Sequence, residues 1–329
     1  MERRHRILAN SLLSLISVAF ALAVMEVLLR WSYPFSTFGA GEELNWFRLG
    51  RQDIPDLFVP DDTLGFRPVL GNRIYDDHGI IFGDSILAKS QPARKILFIG
   101  DSVTARGRMI RALAERISSD RISYLNGGVE SYNIQQEVEF FFRYQALTKP
   151  DYIIHIFHVN DLQSTPLAYR ASDGRLHVYS INTRKEVFSP LLFRHSQLYR
   201  LMIAAALPRI DRVQLLTDAR DHLRRLLTYA QTNKIKYDVV IFPTLSPEAK
   251  WPKHERDSRH LLLALVKELE IEAVDLLPIS ESMNARDSDP REMPGDNWHP
   301  NDQFAGLAAE LLVAKLPSLK AFVRDAGER

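Results

Sequence analysis

Lys95-Ile-Leu-Phe-Ile-Gly-Asp-Ser-Val-Thr104 decides the fold. Lys95–Ile99 is a short apolar run without polar alternation, the pattern of a strand buried on both faces of a parallel sheet. Gly100 allows a tight turn, and Ile110–Ile117 beyond it has the apolar spacing of a helix. The same alternation continues outward. Ser123–Leu125 and Asp151–Phe157 read as strands separated by a helix over Gln135–Leu147. Arg212–Gln231 is a long amphipathic helix that places Leu215, Ala219, Leu223 and Leu226 on one side. Tyr237–Phe242 is a strand, Arg259–Leu269 a helix and Glu272–Leu276 a strand, and Asp302 caps a last helix that Pro317 ends. Strands alternating with helices predict an α/β fold, a three-layer α/β/α sandwich on a mostly parallel sheet. Leu162 to about Pro208 breaks this rhythm and reads as an insertion.

The first thirty residues are of another kind. Arg3, Arg4 and Arg6 precede a run from Ile7 to Met25 that carries no charge, and after Glu26 the apolar texture resumes to Leu29. Nineteen residues at helical rise span about 28 Å, the thickness of a bilayer's hydrocarbon core. A basic leader stays cytoplasmic, so a transmembrane helix over residues 7–29 places the rest of the chain outside the cytoplasm, on a periplasmic or extracellular face. Ala21-Leu-Ala23 also fits a signal-peptidase site, which leaves cleavage after Ala23 as the alternative. The expected organisation is an anchor over 1–30, an extended lead-in over 31–94 that packs on the main domain, and that main domain over 95–329. Lys plus Arg number 42 against 41 Asp plus Glu, a balance that gives no electrostatic ground for a nucleic-acid partner. The chain has no cysteine, which removes disulfides, thiolate metal sites and a cysteine nucleophile together.

Open parallel sheets carry their reactive groups at the carboxyl ends of the strands. Three segments fall there: Gly100-Asp-Ser102, Asn160-Asp161, and Asp296-Asn-Trp-His299-Pro300 before the final helix. A serine hydroxyl needs a base to take its proton, and that base works best when a carboxylate fixes its tautomer. An Asp and a His three residues apart in a turn can meet side chain to side chain, and a serine from another strand end completes the set. An oxyanion needs donors: the Asn160 amide and backbone N–H groups near Ser102 and Gly128 can supply them. His155 and His158 read as structural histidines, and neither a metal nor a cofactor is expected.

In this order, Gly-Asp-Ser, a glycine-bearing Asn-x-Gly segment, Asn-Asp and a C-terminal Asp-x-x-His-Pro, the chain resembles the SGNH (GDSL) hydrolase superfamily. The likeness covers roughly residues 95–160 and 290–316, and Asp62-Thr-Leu-Gly-Phe-Arg-Pro68 is similar to lead-ins of bacterial members. It implies a flavodoxin-like sheet and ester hydrolysis or acyl transfer. It also implies Ser102 as nucleophile, His299 as base, Asp296 as its orienter, and an oxyanion hole from Ser102, Asn160 and Gly128 or Ser131. Two positions depart from the family pattern: Ser131 stands where the second glycine of Asn-x-Gly-x-x-Gly is usual, and His158 where a glycine precedes x-Asn-Asp.

Gly83-Asp-Ser85 repeats the nucleophile tripeptide, so the motif alone does not choose. Spacing favours Ser102, because 29 residues separate it from Ser131 and another 29 separate Ser131 from Asn160, about one βα unit each. Ser85 is expected to be an ordinary turn serine. The function expected is that of a serine esterase acting on O-acyl, including O-acetyl, esters of an envelope glycan or lipid. An O-acyltransferase with the same residues and a non-catalytic polysaccharide-assembly module are the alternatives.

Overall fold

The fold follows from strands whose side chains are apolar on both faces and therefore need a helical layer on each side. The structure is a computed structural model. It describes residues 2–32, 43–45, 57–91, 93–159, 161–170, 176–179, 189–206 and 212–328. In chain order, α1 (Glu2–Ser32) is followed by β1 (Glu43–Asn45), β2 (Phe58–Asp61) and β3 (Gly65–Pro68). Next come β4 (Arg94–Gly100), α2 (Ser102–Ala105), α3 (Arg108–Ile117), β5 (Ile122–Asn126), α4 (Ile134–Arg143) and β6 (Tyr152–His158). The middle of the chain holds β7 (Leu167–Arg170), β8 (Leu176–Tyr179), α5 (Pro190–His195) and α6 (Gln197–Ala206). The last part comprises α7 (Arg212–Thr232), β9 (Lys236–Phe242), α8 (Lys253–Glu268), β10 (Ala273–Asp275), α9 (Leu277–Ala285), α10 (Asp302–Lys315) and α11 (Pro317–Glu328).

These elements form two units, Met1–Arg67 with Pro166–Ile210, and Pro68–Thr165 with Asp211–Arg329. The stretch 31–94 is thus divided between them, and the middle segment belongs with the N-terminal part of the chain. In the first unit β1, β8 and β7 form an antiparallel sheet, Glu43 lying opposite Tyr179 and Tyr179 opposite Leu167. β2 pairs with β3, and Phe58 meets Phe66 edge to face at 5.8 Å. Helix α1 is long and apolar enough to cross a membrane.

The second unit is the sandwich. Its strands run β10-β9-β6-β4-β5 and every pair is parallel, the flavodoxin-like order. Alternate residues serve opposite layers. Ile96 and Phe98 of β4 join Ile154 and Ile156 in a core closed by Ile110 and Leu113 of α3, Phe304 and Leu312 of α10 and Phe322 of α11. Leu97 and Ile99 join Ile153, Phe157 and Ile241 in the other, closed by Val138 and Phe141 of α4, Leu226 of α7 and Leu265 of α8. Leu226 is fully buried, and truncation to alanine there costs about 2–5 kcal/mol.

Three local expectations change. The cap of α10 is Asn301, whose side chain accepts the Phe304 N–H at 2.8 Å; Asp302 stands in the first turn instead and pairs with Arg108. Pro317 ends α10 as expected but also opens α11, where its fixed φ suits the first helical turn. Helix α9 is an element that periodicity had not suggested.

Candidate active site

Between β4 and β6 the order of the sheet reverses, since the chain leaves β4 toward β5 on one side and returns to β6 on the other. Such a switch point opens a crevice at the carboxyl ends of the strands. Gly100 turns the chain out of β4 with φ 154°, and a Cβ there would lie 2.3 Å from Thr104 Oγ1 and 2.8 Å from the Ile156 carbonyl oxygen. Asp101, 1% exposed, accepts the Val103 N–H at 2.9 Å and so fixes the first turn of α2. Ser102 opens that helix. α2 lasts a single turn before Gly107, at φ 69°, redirects the chain into α3, so the dipole behind Ser102 is that of one turn rather than of a long helix.

The segment before α10 meets this turn. Asp296 Oδ1 accepts the N–H groups of Trp298 at 3.0 Å and His299 at 3.1 Å, which folds the loop back on itself. Its Oδ2 lies 2.7 Å from His299 Nδ1, and His299 Nε2 lies 3.0 Å from Ser102 Oγ. A carboxylate facing Nδ1 holds the proton on that nitrogen and leaves Nε2 as the acceptor. Partial burial pushes the Asp296 carboxyl up, but the hydrogen bonds from His299 and Trp298 outweigh it, so the group lies below its ordinary 3.8. The loop is held from two sides: Leu245 N–H donates to the Asn297 carbonyl, and Glu292 N–H to that of His299. Arg108 grips the Glu292 carboxylate at 2.6 Å and Arg106 at 3.3 Å, tying the histidine loop to the start of α3.

The exit of β5 lies alongside. Asn126 is fully buried; its Nδ2 donates to the Ala105 carbonyl at 3.2 Å and its Oδ1 accepts the Gly128 N–H at 3.0 Å. Gln145 Nε2 holds the Gly127 carbonyl at 2.7 Å. A Cβ on Gly128 would stand 2.3 Å from Ala105 N, so the glycine is required by close approach to the helix of Ser102. The Gly128 N–H is already engaged. Among the described residues, the backbone N–H groups of Ser102 and Ser131 have no acceptor. Ser131 adopts φ 58°, a left-handed conformation that glycine takes at lower cost.

At the exit of β6, Asp161 Oδ2 accepts the His158 N–H at 2.7 Å and braces the turn. Asn160 lies outside the described residues. A buried polar group stands behind this edge: His155 Nε2 is 2.7 Å from Glu137 Oε2, and His155 Nδ1 is 3.0 Å from the Tyr237 hydroxyl. Burial first, then the charge of Asp101, pushes Glu137 well above the usual carboxylate range. Burial, then Glu137 and Asp101, does the same to Asp161, while burial pushes His155 well below its ordinary value. Neutral forms are therefore favoured for Glu137, Asp161 and His155.

The second tripeptide is built differently. A Cβ on Gly83 would meet nothing within 4 Å. Asp84 pairs with Arg111, and Ser85 Oγ donates to the Ile81 carbonyl at 2.6 Å while accepting the Asn126 N–H at 2.9 Å. Ser85 is thus a half-buried splice onto β5 rather than an exposed turn residue. Asn126, Gln145, Glu292 and Arg108 support the site as well. The Asn-Gly-Gly motif contained a signal for Asn126, whereas nothing local in the sequence marks the others.

No protein-family model matches the chain, and no curated protein matches it by sequence. Solved structures similar to it include the acetyl xylan esterase AlAXEase, at 14% identity and TM-score 0.44, covering 68% of this chain and 99% of that one. The acetylxylan esterase Axe2 from Geobacillus stearothermophilus is 14% identical with TM-score 0.44, over 70% of this chain and 96% of that one. A lipolytic protein of the G-D-S-L family from Desulfitobacterium hafniense is 16% identical with TM-score 0.39, over 68% and 99%. Likeness at this level says nothing about activity, which has to be argued from the residues themselves.

Proposed function

We propose that the chain is a serine esterase of SGNH type that cleaves O-acyl esters. One observation carries the reading: the unbroken hydrogen-bonded series from Asp296 through His299 to Ser102 Oγ, 2.7 and 3.0 Å long, at the switch point of the sheet. Proton transfer from Ser102 to His299 Nε2 accompanies attack of Oγ on the ester carbonyl, and Asp296 stabilises the imidazolium that forms. The tetrahedral intermediate collapses as His299 returns the proton to the leaving alcohol. Water, deprotonated by the same nitrogen, then releases the acid and regenerates Ser102. The N–H groups of Ser102 and Ser131, together with the Asn160 amide, receive the oxyanion; Gly128 serves by letting its loop approach α2. The substrate we infer is an acylated envelope glycan or lipid, met outside the cytoplasm by an enzyme anchored through residues 7–29. Purified full-length protein should release acid from short-chain acyl esters, and Ser102→Ala should lower that rate by several orders of magnitude. Equal rates in the two proteins would end the proposal.

A further inference from the structure

Glu26 is the feature of α1 that an anchor alone does not explain, since a carboxylate at the end of an apolar helix must find donors or remain in water. It finds them at the junction of α5 and α6 and on Arg30 of its own helix. Glu26 Oε2 accepts the Ser196 hydroxyl at 2.9 Å and the Leu198 N–H at 2.8 Å, and Oε1 accepts the Gln197 N–H at 2.9 Å and Arg30 Nε at 2.7 Å. Two of those donors are backbone groups of the first turn of α6, which have no partner within their own helix. Arg30, one turn further along α1, donates to the carbonyl of His195 at the end of α5. The junction of α5 and α6 is therefore pinned to α1 at two successive turns.

That junction has a definite height. Placing Ile7 at the inner edge of a hydrocarbon core puts Glu26 at the outer edge, about 28 Å away, and Arg30 about 6 Å beyond it. Trp31, 83% exposed, lies in the same band, where aromatic side chains favour the interface. α5 is six residues long and Met202 is five residues beyond Gln197, so both lie within about 9 Å of the junction along their helices. Leu191 (66% exposed), Leu192 (48%) and Met202 (56%) are bare there, and among the described residues nothing covers the apolar window of α1.

We infer that α5 and α6 rest on the outer lipid surface, Leu191, Leu192 and Met202 entering it, with Glu26 as the staple that fixes their height. The partner is the bilayer itself, since the patch adjoins the span and lies at its outer edge. This inference rests on the reading of α1 as a membrane span.

The cysteine-free chain permits a clean test. Leu191→Cys, Met202→Cys, Leu15→Cys and Leu147→Cys variants of the full chain are labelled with an environment-sensitive fluorophore. They are then reconstituted into phosphatidylcholine vesicles with a spin label near the headgroup or near the bilayer centre. Leu15 reports the span, and Leu147, exposed in the sandwich unit, is the reference once a water-soluble quencher shows its label to be in water. Labels at Leu191 and Met202 should be quenched by the shallow spin label at least about threefold more than Leu147, and Leu15 by the deep one. Glu26→Leu should leave Leu15 unchanged and at least halve the shallow quenching at Leu191, about a twofold loss. If Leu191 and Met202 behave like Leu147 while Leu15 is quenched, the lipid contact is refuted and the span stands. If Leu15 is also unquenched, the span reading fails and this inference with it. Cross-linking between copies at Leu191 without lipid quenching would assign the patch to a second molecule and equally refute the proposal.

Discussion

Gly100→Ala and Gly83→Ala make the same change in the two Gly-Asp-Ser copies and should have opposite results. At Gly83 the new methyl enters open space, so stability should stay within about 0.5 kcal/mol of the parent and turnover should be unchanged. At Gly100 the methyl meets Thr104 Oγ1 at 2.3 Å and the Ile156 carbonyl oxygen at 2.8 Å. Thr104 can rotate away, but the carbonyl belongs to β6, which pairs with β4 along its length. Relief to ordinary contact therefore needs the turn or the strand to move by about 0.5–1 Å, an overpacking that costs about 1–3 kcal/mol. A side chain at φ 154° adds roughly 1–3 kcal/mol of backbone strain. The displacement falls on the residue two before Ser102, and a misplacement near 1 Å can cost about a hundredfold in rate. Thermal unfolding and steady-state turnover of a short acyl ester measure both effects. Parental stability and turnover in Gly100→Ala would refute the claim that this turn positions the nucleophile by close packing.

Ser85→Ala removes one hydrogen bond to the Ile81 carbonyl and one from Asn126 at the β5 exit, and should lower stability by about 1–2 kcal/mol in denaturant titration while turnover of the folded protein is kept. Ser131→Gly relieves the left-handed serine and keeps its N–H, so turnover should stay within about twofold of the parent, with equal or slightly higher stability. Asp296→Asn should lower kcat by about 10⁴-fold by favouring the wrong tautomer of His299, with KM for a short ester little changed. Glu137 stays protonated in the folded chain but ionises above its ordinary 4.5 when unfolded, so its contribution to stability is lost as pH rises from 4.5 toward its folded value. Glu137→Gln cannot titrate, and its melting temperature should therefore rise relative to the parent between pH 5 and 8; a constant difference would show that Glu137 is ionised in the fold.

The sandwich was legible because its strands are apolar throughout and its helices amphipathic, so period and texture agree. Lys95–Ile99 already implied the central strand, whose observed ends each lie one residue further out, whereas α8 starts at Lys253 rather than Arg259 and α4 ends at Arg143 rather than Leu147. Apart from α1, the first unit was not legible, for the converse reason. Its described strands are three or four residues long, too short for a period to register, and α5 has only six residues. Within the site, Ser102, Asp296 and His299 could be named because each sits in a short motif at a predicted strand end or helix start. Their supports could not be, since Arg108 and Glu292 are 184 residues apart and only the fold brings them together. Gly128 shows the limit of motif reading: its N–H, a candidate oxyanion donor by position, is engaged by Asn126, and what the structure requires of it is the missing side chain. Ser85 makes the same point, a tripeptide identical to that of Ser102 serving as a splice between chain segments.

The central claim is that Ser102 is the nucleophile, and a serine-directed phosphonate probe tests it without knowledge of the natural substrate. After reaction with the full chain at neutral pH, digestion and mass spectrometry should find the phosphonyl group on the peptide holding Ser102 and on no other serine peptide. Labelling should fall to background in both Ser102→Ala and His299→Ala, since the hydroxyl needs its base. Modification at Ser85, or labelling that persists in His299→Ala, would contradict the account.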